Sequence, residues 1–189
     1  LRGALRYLSG GSDLGLFRVG VRGSLRTRDV EIALWTTPGP FPRAAAAKTL
    51  ASALKNTSVV RVMADPGRAR KVKKVEAISG KGCWEEEVAE SRLLLSAPSF
   101  AQVNTAQAEK LVELVLAGLE VEAGDYVADL YAGAGTFTLP LARAGAEVVA
   151  VESAGSSVRD LRCNAEPRRR RHRHYRRGCR PGASRAGGV

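Results

Sequence analysis

Cysteine is scarce in this chain: three in 189 residues, Cys83, Cys163 and Cys179. Separations of 80 and 16 residues suit neither a zinc site nor a disulfide framework, so the expected setting is reducing and cytoplasmic, without a metal site. Long apolar runs are also missing, and the uninterrupted ones fall far short of the roughly 20 residues a membrane helix needs. No charged-then-apolar leader opens the chain, which starts at Leu1 and not at Met, as a processed product or fragment would. Acidic residues vanish from the final stretch. Residues 167–189 hold nine Arg, both histidines and no Asp or Glu, whereas the preceding 166 residues balance 21 Lys and Arg against 19 Asp and Glu. The net charge of +11 therefore belongs to the tail and not to the body.

What is present is enough for a core: 44% of the residues are hydrophobic. In "LFRVGVRGSLRTRDVEIALWTT" (16–37), Phe17, Val19 and Val21 alternate with polar or small residues, and Val30, Ile32 and Leu34 do the same. This predicts two strands joined by a loop at "RTRD". After "PGPFPR", "AAAAKTLASAL" (44–54) favours helix, "SVVRVMA" (58–64) favours strand, and "CWEEEVAESRLLL" (83–95) reads as two more strands. The basic stretch "RARKVKK" (68–74) is expected as a solvated loop, with contact to RNA backbone as its functional alternative. Residues 1–97 are thus an α+β module of mostly antiparallel strands.

Beyond "APSFAQVN" the period changes. Ala108, Leu111, Val112, Val115, Leu116 and Leu119 fall on one face of a helix, with Asn104 as N-cap and Gln107 at N3. Gly124-Asp125 turns the chain into the strand "YVADL", and strand, glycine loop, helix, strand and helix follow over 126–165. That order implies parallel strands in an open sheet, with a ligand crevice beyond their carboxyl ends. Gly133 and Gly135 lie at that crevice, where a missing Cβ admits positive φ and close approach of a ligand. Thr136 or Phe137 is expected to open the helix, with Pro140 in its first turn. Glu152, 17 residues past Gly135, can accept both hydroxyls of a ribose. A nucleoside-containing cofactor fits, either a nicotinamide dinucleotide or S-adenosylmethionine. The dinucleotide fingerprint G-x-G-x-x-G is incomplete, with Thr138 at its third glycine.

"SFAQVNTAQAEKLVELVL" followed by "DLYAGAGTFTLPLA" resembles the RNA uridine-5-methyltransferases, across 96–166 most closely and across 12–95 more loosely. The resemblance implies a central α+β domain followed by the first half of a Rossmann-like α/β methyltransferase domain (98–166). It implies S-adenosylmethionine as cofactor and ribosomal or transfer RNA as substrate. Gln102 would contact the methionine end of the cofactor, Tyr131 would pack on it, and Thr136 would add a contact beside Gly133 and Gly135. Glu152 would take the ribose hydroxyls. Two departures stand within the motifs: Ala101 replaces the second aromatic of S-F-F-Q, which should loosen local packing, and Ala132 replaces a common Cys. The family's nucleophile, a cysteine in a Ser-Cys-x-Pro stretch that attacks uracil C6, has no counterpart among these residues, nor has the carboxylate that removes the C5 proton. The expectation is a monomer that keeps cofactor features without the covalent chemistry, and so an inactive fragment.

The tract 167–189 lacks the apolar residues needed to offset ordering entropy and is expected to be disordered. It reads either as the product of a shifted reading frame or as an arm for RNA phosphates, and the latter would make the chain a non-catalytic basic RNA-binding protein. Cys83, Cys163, Trp35 and Trp84 are expected to serve packing, with base stacking the alternative use of the two indoles.

Overall fold

Alternation and β-branched content place four strands in one sheet. In the computed structural model, which describes residues 1–10, 13–55, 57–67 and 71–166, β1 (Leu16–Gly23) and β2 (Val30–Thr36) pair antiparallel across the 24–29 loop. The helix α2 (Arg43–Ala53) then carries the chain over the sheet, so β3 (Ser58–Ala64) runs parallel to β2. β4 (Val72–Gly80) returns antiparallel to β3, giving the order β1-β2-β3-β4. Two elements differ from the sequence reading. A helix α1 (Arg2–Ser9) precedes the sheet, with Leu8 buried and Leu1, Ala4 and Leu5 packed beside it. The basic segment expected as a loop becomes strand at Val72, because exposed lysines suit an outer strand that must not pair further. Lys73 there sits 2.5 Å from the Asp65 carboxylate. Arg68, Arg70 and the tract 167–189 lie outside the described residues.

The sheet buries both faces. Ile32, Leu34 and Val59 meet Ala46 and Leu50 of α2 on one side, while Ala33, Trp35, Val60 and Val62 gather with Ala97 on the other. β3 is buried throughout, Arg61 included. That guanidinium donates to the Thr36 hydroxyl (2.8 Å) and to the Thr37 (3.1 Å) and Gly39 (3.0 Å) carbonyls, and lies over the Phe41 ring. It thereby fastens the turn between β2 and α2.

β5 (Trp84–Val88) and β6 (Ser91–Leu95) form a separate hairpin. Trp84, Val88, Leu93 and Leu95 pack with Ala108 of α3 (Thr105–Leu119) and with Ala134 of the glycine loop. Asn104 caps α3 as the sequence suggests, its side-chain oxygen accepting from Gln107 N at 3.1 Å. An Asn104→Ala variant should lose about 1 kcal/mol of stability, visible as a lower thermal midpoint. The apolar face of α3 is buried only in part: Ala108 and Val112 are enclosed, whereas Leu111 and Leu119 are 45% and 52% exposed.

β7 (Tyr126–Leu130), α4 (Thr138–Arg143), β8 (Glu147–Val151) and α5 (Gly155–Ala165) complete the described chain. β7 and β8 pair parallel, in the register Tyr126 to Glu147 and Leu130 to Val151. One face of this pair, with Tyr126, Leu130, Val149 and Val151, is open to solvent. Among the described residues no helix is long and apolar enough to cross a membrane.

Candidate cofactor-binding site

The loop after β7 is built by backbone geometry. Tyr131 and Gly133 both take positive φ (63° and 59°), which turns the chain sharply away from the strand. Ala132 N donates to Val151 O (3.0 Å), which holds the turn against the end of β8. α4 begins at Thr138 with Phe137 as N-cap, one residue beyond the expected start, and Pro140 occupies its first turn. The two glycines have different jobs. A Cβ at Gly135 would meet Leu161 Cδ1 at 2.8 Å, so that glycine lets α5 close on the loop. A Cβ at Gly133 would meet nothing within 4 Å, so that glycine opens backbone to a ligand.

Glu152 stands beside that opening. Its Oε2 accepts from Gly133 N (2.9 Å), and its Oε1 accepts from Ser153 N and Ala154 N (both 2.7 Å). These donors, Ala154 and Gly133 foremost, hold the carboxyl below its ordinary pKa, so it is an anion at neutral pH. Oε1 is saturated, whereas Oε2 keeps a lone pair for a further donor. The structure thus joins Gly133 and Glu152 directly. Tyr131 is 90% exposed at the rim, and Thr136 is half-buried between the two glycine-bearing turns and α4. Gln102 is exposed on the segment before α3, where its neighbour Ala101 packs into the cluster that includes Ala134.

Several residues that shape this site were not anticipated. Asp129, buried at the end of β7, accepts from the Thr138 hydroxyl at 2.5 Å and fixes the start of α4. Asn164 of α5 donates to Ala134 O (2.9 Å) and Leu94 O (3.1 Å) and accepts from Leu94 N (2.8 Å), tying the glycine loop to β6. The turn Ser96–Ser99, which leads to Gln102, is gripped from two sides. Asp160 of α5 accepts from Ser96 N (2.8 Å) and the Ser96 hydroxyl (2.9 Å). Arg22 of β1 donates to the carbonyls of Ser96 (3.3 Å), Ala97 (2.6 Å) and Ser99 (2.9 Å). A signal for α5 was available: Ser157, Asp160 and Asn164 recur at i, i+3 and i+7, and all three are buried. This helix buries a polar stripe where most bury an apolar one.

Behind Arg22 lies Glu31, its cross-strand partner, with 0% exposure and no hydrogen bond to either carboxylate oxygen. Burial pushes its pKa up to about 7, against the opposing pull of Arg22 and with a further push from the Asp160 charge. Burial raises Asp160 as well, while hydrogen bonds from Ser99 and Ser96 restrain it.

The family described as tRNA (Uracil-5-)-methyltransferase matches residues 45–171, two thirds of the chain. The chain belongs to that family. It is 33% identical over 156 residues to an uncharacterized RNA methyltransferase of Thermosynechococcus vestitus, covering 80% of this chain and 34% of that protein. It is 42% identical over 91 residues to the 23S rRNA (uracil(1939)-C(5))-methyltransferase RlmD of Salmonella choleraesuis, covering 48% of this chain and 21% of that one. Among solved structures it resembles the Pyrococcus abyssi tRNA (uracil-54, C5)-methyltransferase in complex with S-adenosyl-L-homocysteine. The TM-score is 0.62 at 23% identity, over 77% of this chain and 34% of that one, a likeness of fold. The chain thus spans about a third of the first relative's length and less of RlmD's.

Proposed function

We propose that this chain is the cofactor-holding part of an RNA (uracil-C5)-methyltransferase, with S-adenosylmethionine seated at the glycine loop and ribosomal or transfer RNA as the substrate class. The observation that carries this is the pairing of an open Gly133 with an anchored, anionic Glu152. The Glu152 Oε2 atom is placed to accept from a ribose hydroxyl, and the bare backbone at Gly133 admits the ligand to van der Waals contact. Tyr131 lies at the rim for packing, and Gln102 and Thr136 supply polar contacts. S-adenosylmethionine provides an electrophilic methyl group; the residues here bind and orient it.

A dinucleotide is the poorer fit. Thr138, at the third glycine position of the dinucleotide fingerprint, is buried and bonded to Asp129, filling the space that fingerprint leaves empty. Titration calorimetry should therefore detect S-adenosylmethionine and not NAD. Glu152→Ala should weaken binding roughly tenfold or more, since a hydrogen bond to a charged group is worth about 1.5–3 kcal/mol. Binding of NAD, or an unchanged affinity in the variant, would overturn the assignment. None of the three cysteines lies in a Ser-Cys-x-Pro stretch, so these 189 residues alone are expected to transfer no label from S-adenosylmethionine to RNA. Labelled methyl appearing in RNA would refute that part.

A further inference from the structure

A cleft of about 630 Å³ runs between β1 and the segment that carries Gln102. Its lining includes Arg18, Arg22, Trp35, Trp84, Phe100 and Gln102, and no lining residue is acidic. The cross-strand register puts Arg18 opposite Trp35 and Arg22 opposite Glu31, so both arginines project from the same face of β1. Arg22 lies over the Trp84 ring (5.8 Å to its centroid) and spends its nitrogens on the Ser96–Ser99 carbonyls, which makes it part of the wall. Arg18 differs. It lies over the Trp35 ring at 5.2 Å, is exposed, and pairs with no carboxylate among the described residues. The indoles themselves are 8% and 5% exposed, too enclosed to stack a ligand directly. Instead Trp35 backs a planar cation that faces the cleft. Phe100, 74% exposed, supplies an aromatic surface on the opposite wall. β1 is the outer strand of its sheet, and the cleft follows consecutive residues Gly20 to Gly23, so it also borders a backbone edge.

We propose that this cleft is a subsite for an unpaired nucleotide of the RNA substrate, its base stacked on the Arg18 guanidinium and its phosphate drawn by the charge of Arg18. The proposal rests on the RNA-methyltransferase reading above. A guanidinium plane and an aromatic ring accept any base face, and Arg18, which pairs with no carboxylate among the described residues, favours a polyanion over a neutral ligand. The site gives the described body a specific RNA contact even though that body is almost neutral overall. Such a contact is independent of the arginine-rich tract.

The two cleft indoles are the only tryptophans in the 189 residues, so emission excited at wavelengths that the four tyrosines do not absorb reports on this cleft alone. The full chain would be titrated with a short single-stranded oligouridylate, with heparin present to occupy the arginine-rich tract. The expected result is a saturable change in tryptophan emission. Arg18→Glu should raise the half-saturation concentration roughly tenfold, through lost stacking and reversed charge. Arg18→Lys keeps the charge but not the plane, and should lose most of the emission change while retaining salt-sensitive binding. Melting curves matching wild type would show both variants folded, as expected for an exposed position. The proposal is overturned if heparin alone produces the same emission change, or if Arg18→Glu titrates like wild type. Calorimetry with S-adenosylmethionine on the same sample separates the two readings. Cofactor binding with no emission change removes only the subsite; an Arg18-dependent emission change without cofactor binding removes only the cofactor assignment.

Discussion

An Arg22→Ala variant is expected to lose about 2–4 kcal/mol of unfolding free energy at pH 8, since charged-donor hydrogen bonds vanish and their acceptors are left unsatisfied. Three carbonyls, those of Ser96, Ala97 and Ser99, lose their donor together. Glu31 also loses the cation that partly offsets its burial. The loss should shrink at pH 5, where Glu31 is protonated and no longer needs a counter-charge. Urea denaturation at the two pH values measures both effects. An equal loss at both would mean that Arg22 acts only through the carbonyls. The functional corollary is specific: the same variant should weaken any ligand contact made by Gln102, because the turn leading to it is no longer held.

The second large effect concerns Glu31 itself. Its folded-state pKa of about 7 lies above the ordinary 4.5, so between those values the folded protein binds more protons than the unfolded chain. Stability must therefore fall as pH rises through that window and level off above it. A shift of this size corresponds to about 3 kcal/mol. Glu31→Gln should remove most of the slope and stabilise the protein at pH 8 by about 1–3 kcal/mol, since the amide introduces donors that also need partners. A residual slope of the same sign should persist from Asp160, whose pKa burial also raises. Thermal or urea midpoints from pH 4 to pH 8, wild type against variant, test this. Stability of the wild type that rises across that range would refute it.

How much of this could be read from the residues follows the range of the interactions. The strands over 16–37 and 58–64, the Asn104 cap and the β7–loop–α4–β8 unit are encoded within a few residues, by alternation, capping chemistry and glycine placement, and were legible. Glu152 was legible because its position follows from strand length. β4 was not, since its lysines hide a strand that needs only one partner. Nothing in "SVVRVMA" marks Arg61 as a core residue, yet it is buried, because a turn some 25 residues earlier supplies its acceptors. The partners of Arg22, Asp160 and Asn164 were invisible for the same reason. Most lie 64 to 77 residues away, and the period that Asp160 and Asn164 share on α5 does not say what they meet.

The way β1 and its loop are fastened has a consequence for how the chain is made. The loop after β1 is finished only by later residues: Ser24 donates to Glu86 (2.8 Å), Asp29 accepts from Glu85 N (2.8 Å), and Arg26 pairs with Glu109. The Ser96–Ser99 turn held by Arg22 in turn waits for Asp160. During synthesis the N-terminal strands can pair early, but the loop between them stays provisional until α3 has left the ribosome, and the turn until α5 has. At roughly 5–20 residues per second that delay lasts several seconds, during which the buried carboxylate of Glu31 remains wet and ionised. The sheet is thus laid down first and its flanking turn sealed last, by the helix that follows Glu152.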